Sequence, residues 1–95
     1  MIVADVSIIP VGVGESLSKY VKKAVEELRN SGLRVEVGAM ATVLEARTLD
    51  EIFEAVKKAR EAVFGMGARR VYTIIRIDER RDKELSIESK ASQIR

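Results

Sequence analysis

Two helical stripes, each bracketed by short runs of alternating apolar residues, leave this chain few ways to fold. Leu17, Tyr20, Val21, Ala24, Val25 and Leu28 recur at i, i+3, i+4, i+7, i+8 and i+11, one apolar face of a helix. Gly14 or Ser16 is placed to cap its start, and Gly32 to end it in a left-handed turn. A second stripe, Leu49, Ile52, Phe53, Val56, Ala59 and Val63, follows the capping-box pair Thr48 and Glu51, with Glu54 and Lys58 paired on the wet side. Ahead of the first helix, "IVADVSII" (2–9) alternates with period two. Between the helices, "LRVEVGAMATVLEAR" (33–47) has strand character on both sides of 38–41. It predicts a hairpin, or a strand pair with a Gly38 bulge, and a third strand near 42–47. After "GMG" (65–67), "RRVYTIIRID" (69–78) supplies a fourth strand.

The order is β-α-β-β-α-β. Ninety-five residues suffice for one core, so a single domain over 1–95 is expected. Right-handed crossovers and short connections then select an α+β, ferredoxin-like βαββαβ fold with antiparallel sheet order 4-1-3-2 and both helices on one face. The tail, "ERRDKELSIESKASQIR", starts as a solvated charge run. It then offers Leu85, Ile87, Ala91 and Ile94 for a short C-terminal helix beginning at Ser86. So small a domain has little core left for that helix, and either packing on a neighbouring subunit or fraying is expected.

The face away from the helices is mixed. Val3 and Ile9 stand beside Asp5 and Ser7 on the first strand; Val71, Thr73, Ile75 and Ile77 oppose Tyr72, Ile74, Arg76 and Asp78 on the fourth; Val43 and Glu45 oppose Thr42 and Leu44 on the third. Neither face is cleanly polar. A sheet face turned to water should be mainly polar, so subunit association through this face or through the exposed strand edges is expected, making a homo-oligomer. The polar groups there need partners, and Arg76 with Asp5 or Glu45 is the plain solution.

Chemistry is limited by what is missing. With no cysteine and no histidine, disulfides, thiolate metal sites, cysteine nucleophiles and imidazole bases are excluded. A net charge of +2, with acids and bases interleaved, does not imply nucleic acid. No apolar run nears the ~20 residues that span a bilayer, and an apolar start carrying Asp5 without a basic leader points to the cytoplasm. Asn30 and Gln93 are the only side-chain amides while 34% of residues are charged, a balance common in proteins of thermophiles.

"IIPVGVGESLSKYV" (8–21) has the strand, glycine loop and helix of a phosphate cradle, but no Gly-Lys-Ser/Thr run. Leu17 stands where a dinucleotide fingerprint has its third glycine, and Glu15 would repel phosphate at the helix start. It reads as a connector. The central strands lack the aromatic platforms of an RNA-binding sheet, and the loop arginine and sheet asparagine of an acylphosphatase-type site are absent. Asp78, Glu79 and Asp82 lack the spacing of a calcium loop. No catalytic residue, metal or cofactor is expected. Binding remains.

"VSIIPVGVGESLSKYV", "VGAMATVLEA", "AVFGMGARRVYTIIRIDERRDK" and "SKASQI" together resemble the YkoF-like thiamine-binding protein family across essentially the whole chain. The resemblance implies a ferredoxin-like domain without known catalytic role, assembled as a homo-oligomer, commonly a tetramer of sheet-paired dimers. It also implies capture of thiamine or a related pyrimidine by some members. The family-like positions are Ser7 and Pro10, then Ser16 and Ser18, then Met40, Thr42 and Glu45. Asp78, Arg80 and Arg81 also match, for ligand or interface. Where the family usually has glycine after the acid, Ala46 stands here. On this reading Glu45 accepts from an amino group or offsets the thiazolium charge, Ser7 and Thr42 orient the ring, and Met40 supplies an adaptable wall. The alternative is a regulatory amino-acid-sensing or scaffolding domain, which shares the same element order.

Overall fold

In the computed structural model, which describes residues 1–92 and 94, the first alternating run becomes β1 (Ile2–Pro10). It is followed by α1 (Leu17–Arg29), β2 (Arg34–Val37), β3 (Thr42–Ala46), α2 (Leu49–Gly65), β4 (Val71–Asp78) and α3 (Ile87–Ser92). The sheet runs β2-β3-β1-β4 with every neighbour antiparallel, the ferredoxin-like order expected. Ile2, Ala4, Val6 and Ile8 turn one side of β1 into the core, where Leu44, Ile52, Val63 and Leu28 are fully buried beneath the two helices.

Local chemistry fixes most boundaries. At the start of α2, Thr48 Oγ1 accepts from Glu51 N–H at 3.2 Å and Glu51 Oε1 accepts from Thr48 N–H at 3.1 Å, the reciprocal box anticipated. Gly32 takes φ +83° just past α1, a conformation that costs a residue without Cβ little. The start of α1 differs from expectation. A 3-10 turn over Gly14–Ser16 leads into it, and Ser16, held at φ −82° and ψ 5° instead of extended, makes no side-chain cap.

Three further expectations are corrected. The hairpin carries no bulge, because pairing runs without interruption from Arg34↔Glu45 to Val37↔Thr42. Gly38 serves a tight turn instead: its N–H donates to the Ala41 carbonyl at 2.9 Å, and a Cβ there would lie 2.8 Å from that same oxygen. The stripes are only partly used. In α1, Ala24 and Leu28 are buried, but Leu17 and Val21 look past the four-residue β2 and stay exposed with Val37; in α2, Ala55 is buried while Phe53 is 45% exposed. Finally, the C-terminal segment does not need a neighbour to find a core. Leu85 and Ile87 fold onto the outer face of their own sheet, against Val3 and Val43.

Pro10 ends a strand that has neighbours on both sides, where a missing N–H would normally break a ladder. Val11 N–H donates to the Arg70 carbonyl at 2.8 Å in line with the β1–β4 register, so odd-numbered residues of β1 bond toward β4 and even-numbered ones toward β3. Pairing with β3 stops at Val6↔Thr42. The nitrogen of Pro10 therefore faces a side with nothing left to pair.

Candidate ligand-binding site

That difference in strand length opens a cavity. β1 continues beside β4 as far as Pro10↔Val71, whereas β3 has already turned away into the hairpin. The space between them, of about 160 Å³, is roofed by α1 through Val21, Val25 and Leu28 and closed at one end by the 38–41 turn. Its walls are mainly apolar, with polar groups at the turn. Ser7 Oγ donates to the Met40 carbonyl at 3.3 Å and so ties the turn to β1. Thr42 is buried at the bottom of the hairpin, and the Met40 side chain, 91% exposed, projects at the mouth.

Of the seven predicted site residues, the structure brings Ser7, Met40 and Thr42 together around this cavity. Pro10 lies just beyond it at the end of β1. Ser16 and Ser18 sit at the entrance of α1, Ser18 on a separate shallow depression with Leu17 and Val37. Glu45 is on the other side of the sheet. Its carboxylate, with only 10% of the side chain exposed, accepts from Ile87 N–H at 2.9 Å and has Arg34 Nη1 at 3.8 Å. It thus satisfies a free donor in the first turn of α3. The α1 wall formed by Val21 and Val25 is not anticipated by the sequence reading. Pro10 is the available signal, since a proline in a central strand marks a missing ladder.

The outer face carries a network of charges. Arg76 Nε donates to Asp5 Oδ1 at 2.9 Å across directly paired residues, as one of the two expected pairings has it. Lys90 pairs with Asp78, and Arg34 with Glu88, so both ion pairs hold α3 to the sheet. The Glu88 carboxyl is lowered chiefly by its hydrogen bond from Arg34, whose guanidinium is raised in return. Glu84 is lowered by the N-terminal ammonium 2.8 Å away. Arg80 pairs with Asp82 at 2.6 Å, bringing that acid down to about 2. None of these contacts reaches the cavity.

Comparison with known proteins places these features in a lineage. A family model described as "Thiamine-binding protein" matches residues 4–95. A UPF0045 protein of Methanothermobacter thermautotrophicus is 46% identical over 96 residues, spanning 100% of this chain and 97% of the relative. The crystal structure of a hypothetical protein from Methanocaldococcus jannaschii superposes with a TM-score of 0.90 at 52% identity, covering 98% of this chain and 94% of that one. A candidate thiamine biosynthesis/salvage protein from Thermotoga maritima shares the fold, with a TM-score of 0.85 at 24% identity over 99% of this chain and 98% of the other.

Proposed function

The chain belongs to the thiamine-binding protein family, and from that premise we propose that it captures thiamine or a related pyrimidine without transforming it. The observation that carries this reading is the cavity where β1 outruns β3. Its volume, about 160 Å³, is close to that of an engineered apolar cavity of ~150 Å³ that takes up benzene. One aromatic ring fills such a space. The aminopyrimidine enters, Ser7 and Thr42 orient it, and the thiazolium stays at the mouth beside Met40, whose flexible thioether adapts to it. Among the described residues no pair of acid and base converges on the cavity lining, which favours binding over catalysis.

The protein works in this proposal as a homo-oligomer, a tetramer of sheet-paired dimers. Ile9, Tyr72 and Ile74 form an exposed apolar end of the outer face, and the eight-residue β4 is an edge strand, paired on one side by β1 alone. Both are features that association covers. Light scattering at micromolar concentration tests the assembly, and a monomer there ends it. Calorimetric titration with thiamine, the free pyrimidine and a panel of amino acids tests the ligand. Saturable heat from a pyrimidine is expected; heat from an amino acid alone would instead indicate a regulatory sensing domain.

A further inference from the structure

Resting on that proposed function, we infer that the main chain of Ile8, more than any side chain, reads the polar edge of the bound ring. The alternation of β1 turns the N–H and C=O of even-numbered residues toward β3. Ile2, Ala4 and Val6 pair there with Ala46, Leu44 and Thr42. Continued by one more step, the register would set Ile8 opposite Met40. It does not continue. The 38–41 turn closes on itself through Gly38 N–H and the Ala41 carbonyl, and the Met40 carbonyl is taken by Ser7 Oγ instead. Among the described residues no hydrogen bond reaches the N–H or C=O of Ile8 from this side, although Ile8 is only 6% exposed and lines the cavity.

Most native backbone groups are paired, so an N–H and a C=O with no protein partner leave a donor and an acceptor for water or a ligand to satisfy. Here the two groups lie side by side, a donor next to an acceptor, aimed into a space the size of one ring. The complement is a flat heterocycle carrying an acceptor nitrogen next to an amino donor. A 4-aminopyrimidine has that edge: its ring nitrogen accepts from Ile8 N–H while its amino group donates to the Ile8 carbonyl. Pro10 confines this recognition to one residue, because the next even-numbered position has no N–H to offer. The specificity is therefore for one donor–acceptor edge, presented by the strand itself.

The test uses the intact protein, 4-amino-2-methylpyrimidine and its isostere 2,4-dimethylpyrimidine, which keeps the shape and the ring nitrogens but lacks the donor. Binding is measured by calorimetry, and the Ile8 amide is followed by 1H–15N NMR and hydrogen exchange. In the free protein this amide should exchange faster than those of Ala4 and Val6. On adding the amino compound it should move downfield and become protected, and the dimethyl isostere should bind about 10-fold more weakly, as expected when a buried acceptor loses its partner. Equal affinity for the two compounds, or binding that leaves the Ile8 amide unmoved, overturns the main-chain reading while the ligand class survives. An Ile8 amide already as protected as Ala4 without ligand overturns it too. No binding of either compound overturns both this inference and the proposed function beneath it.

Discussion

The outer face of the sheet has two ends that belong to the same strands and yet are finished differently. At one end, Val3 and Val43 are roofed by Leu85 and Ile87, and the covering segment is tied down by Glu45, Asp78 and Arg34. At the other, Ile9, Tyr72 and Ile74 remain open beside Ser7 and the 38–41 turn. The difference teaches that a mixed face is not one problem with one answer. The chain uses its own C-terminal segment on the half that lies away from the cavity and leaves the half beside it exposed.

The contrast breaks most readily at Ile87. Ile87→Ala should cost about 2–3 kcal/mol of unfolding free energy, at the lower end for a buried isoleucine because the cluster is small. Ile9→Ala at the open end should cost less than about 1 kcal/mol of the subunit's own stability, read at a protein concentration too low for association. Denaturant titration of the two variants checks this, and equal losses would mean that the ends are not distinct. Next is Glu45. Glu45→Ala strands the Ile87 N–H and should cost about 1–3 kcal/mol, whereas Glu45→Gln retains an acceptor and should lose less. Thiamine affinity should hold in Glu45→Gln and fall several-fold in Ser7→Ala, as read by calorimetry; the opposite ranking would move the ligand to the α3 side of the sheet.

A smaller effect sharpens the comparison through pH. Glu84 and Glu88 have folded-state pKa values below their usual range, owing to the N-terminal ammonium and to Arg34 respectively. Such groups contribute stability that is present above the unfolded pKa and lost as pH falls through the folded one. Below about pH 4 the covering segment should loosen before the helix-side core. Methyl resonances of Leu85 and Ile87 should shift in NMR spectra ahead of those of Leu28 and Leu44. Smallest of all is Arg76→Ala. Its guanidinium is largely in water, so removing the cross-strand pair with Asp5 should leave the denaturation midpoint within scatter.

Local signals and long-range ones are not equally legible in the sequence. The capping box at Thr48 and Glu51, the alternation of β1 and the two helical stripes each lie within a few residues, and the element order follows from them. Leu17, Val21 and Phe53 join the stripes yet miss the core, because periodicity shows that a face is apolar but not how wide a neighbour it meets. Docking of the tail is illegible for a related reason. A six-residue helix carries little period, and its seat on Val3 and Val43 exists only once the β1–β3 register is set. The site divides in the same way. Ser7, Met40 and Thr42 fall together because the hairpin returns Met40 and Thr42 to the end of β1, while Glu45, three residues past Thr42 on β3, faces the opposite way by the two-residue period of a strand.

A hole in so small a protein is always at risk of being knitted shut by the two segments that border it. Pro10 makes that impossible at one stitch: its ring nitrogen can lend no proton, so the hairpin gains little by creeping outward along β1. At that one position the stop is a covalent ring, not a fit of neighbours. Heat or a repacked core can soften the walls without removing the stop.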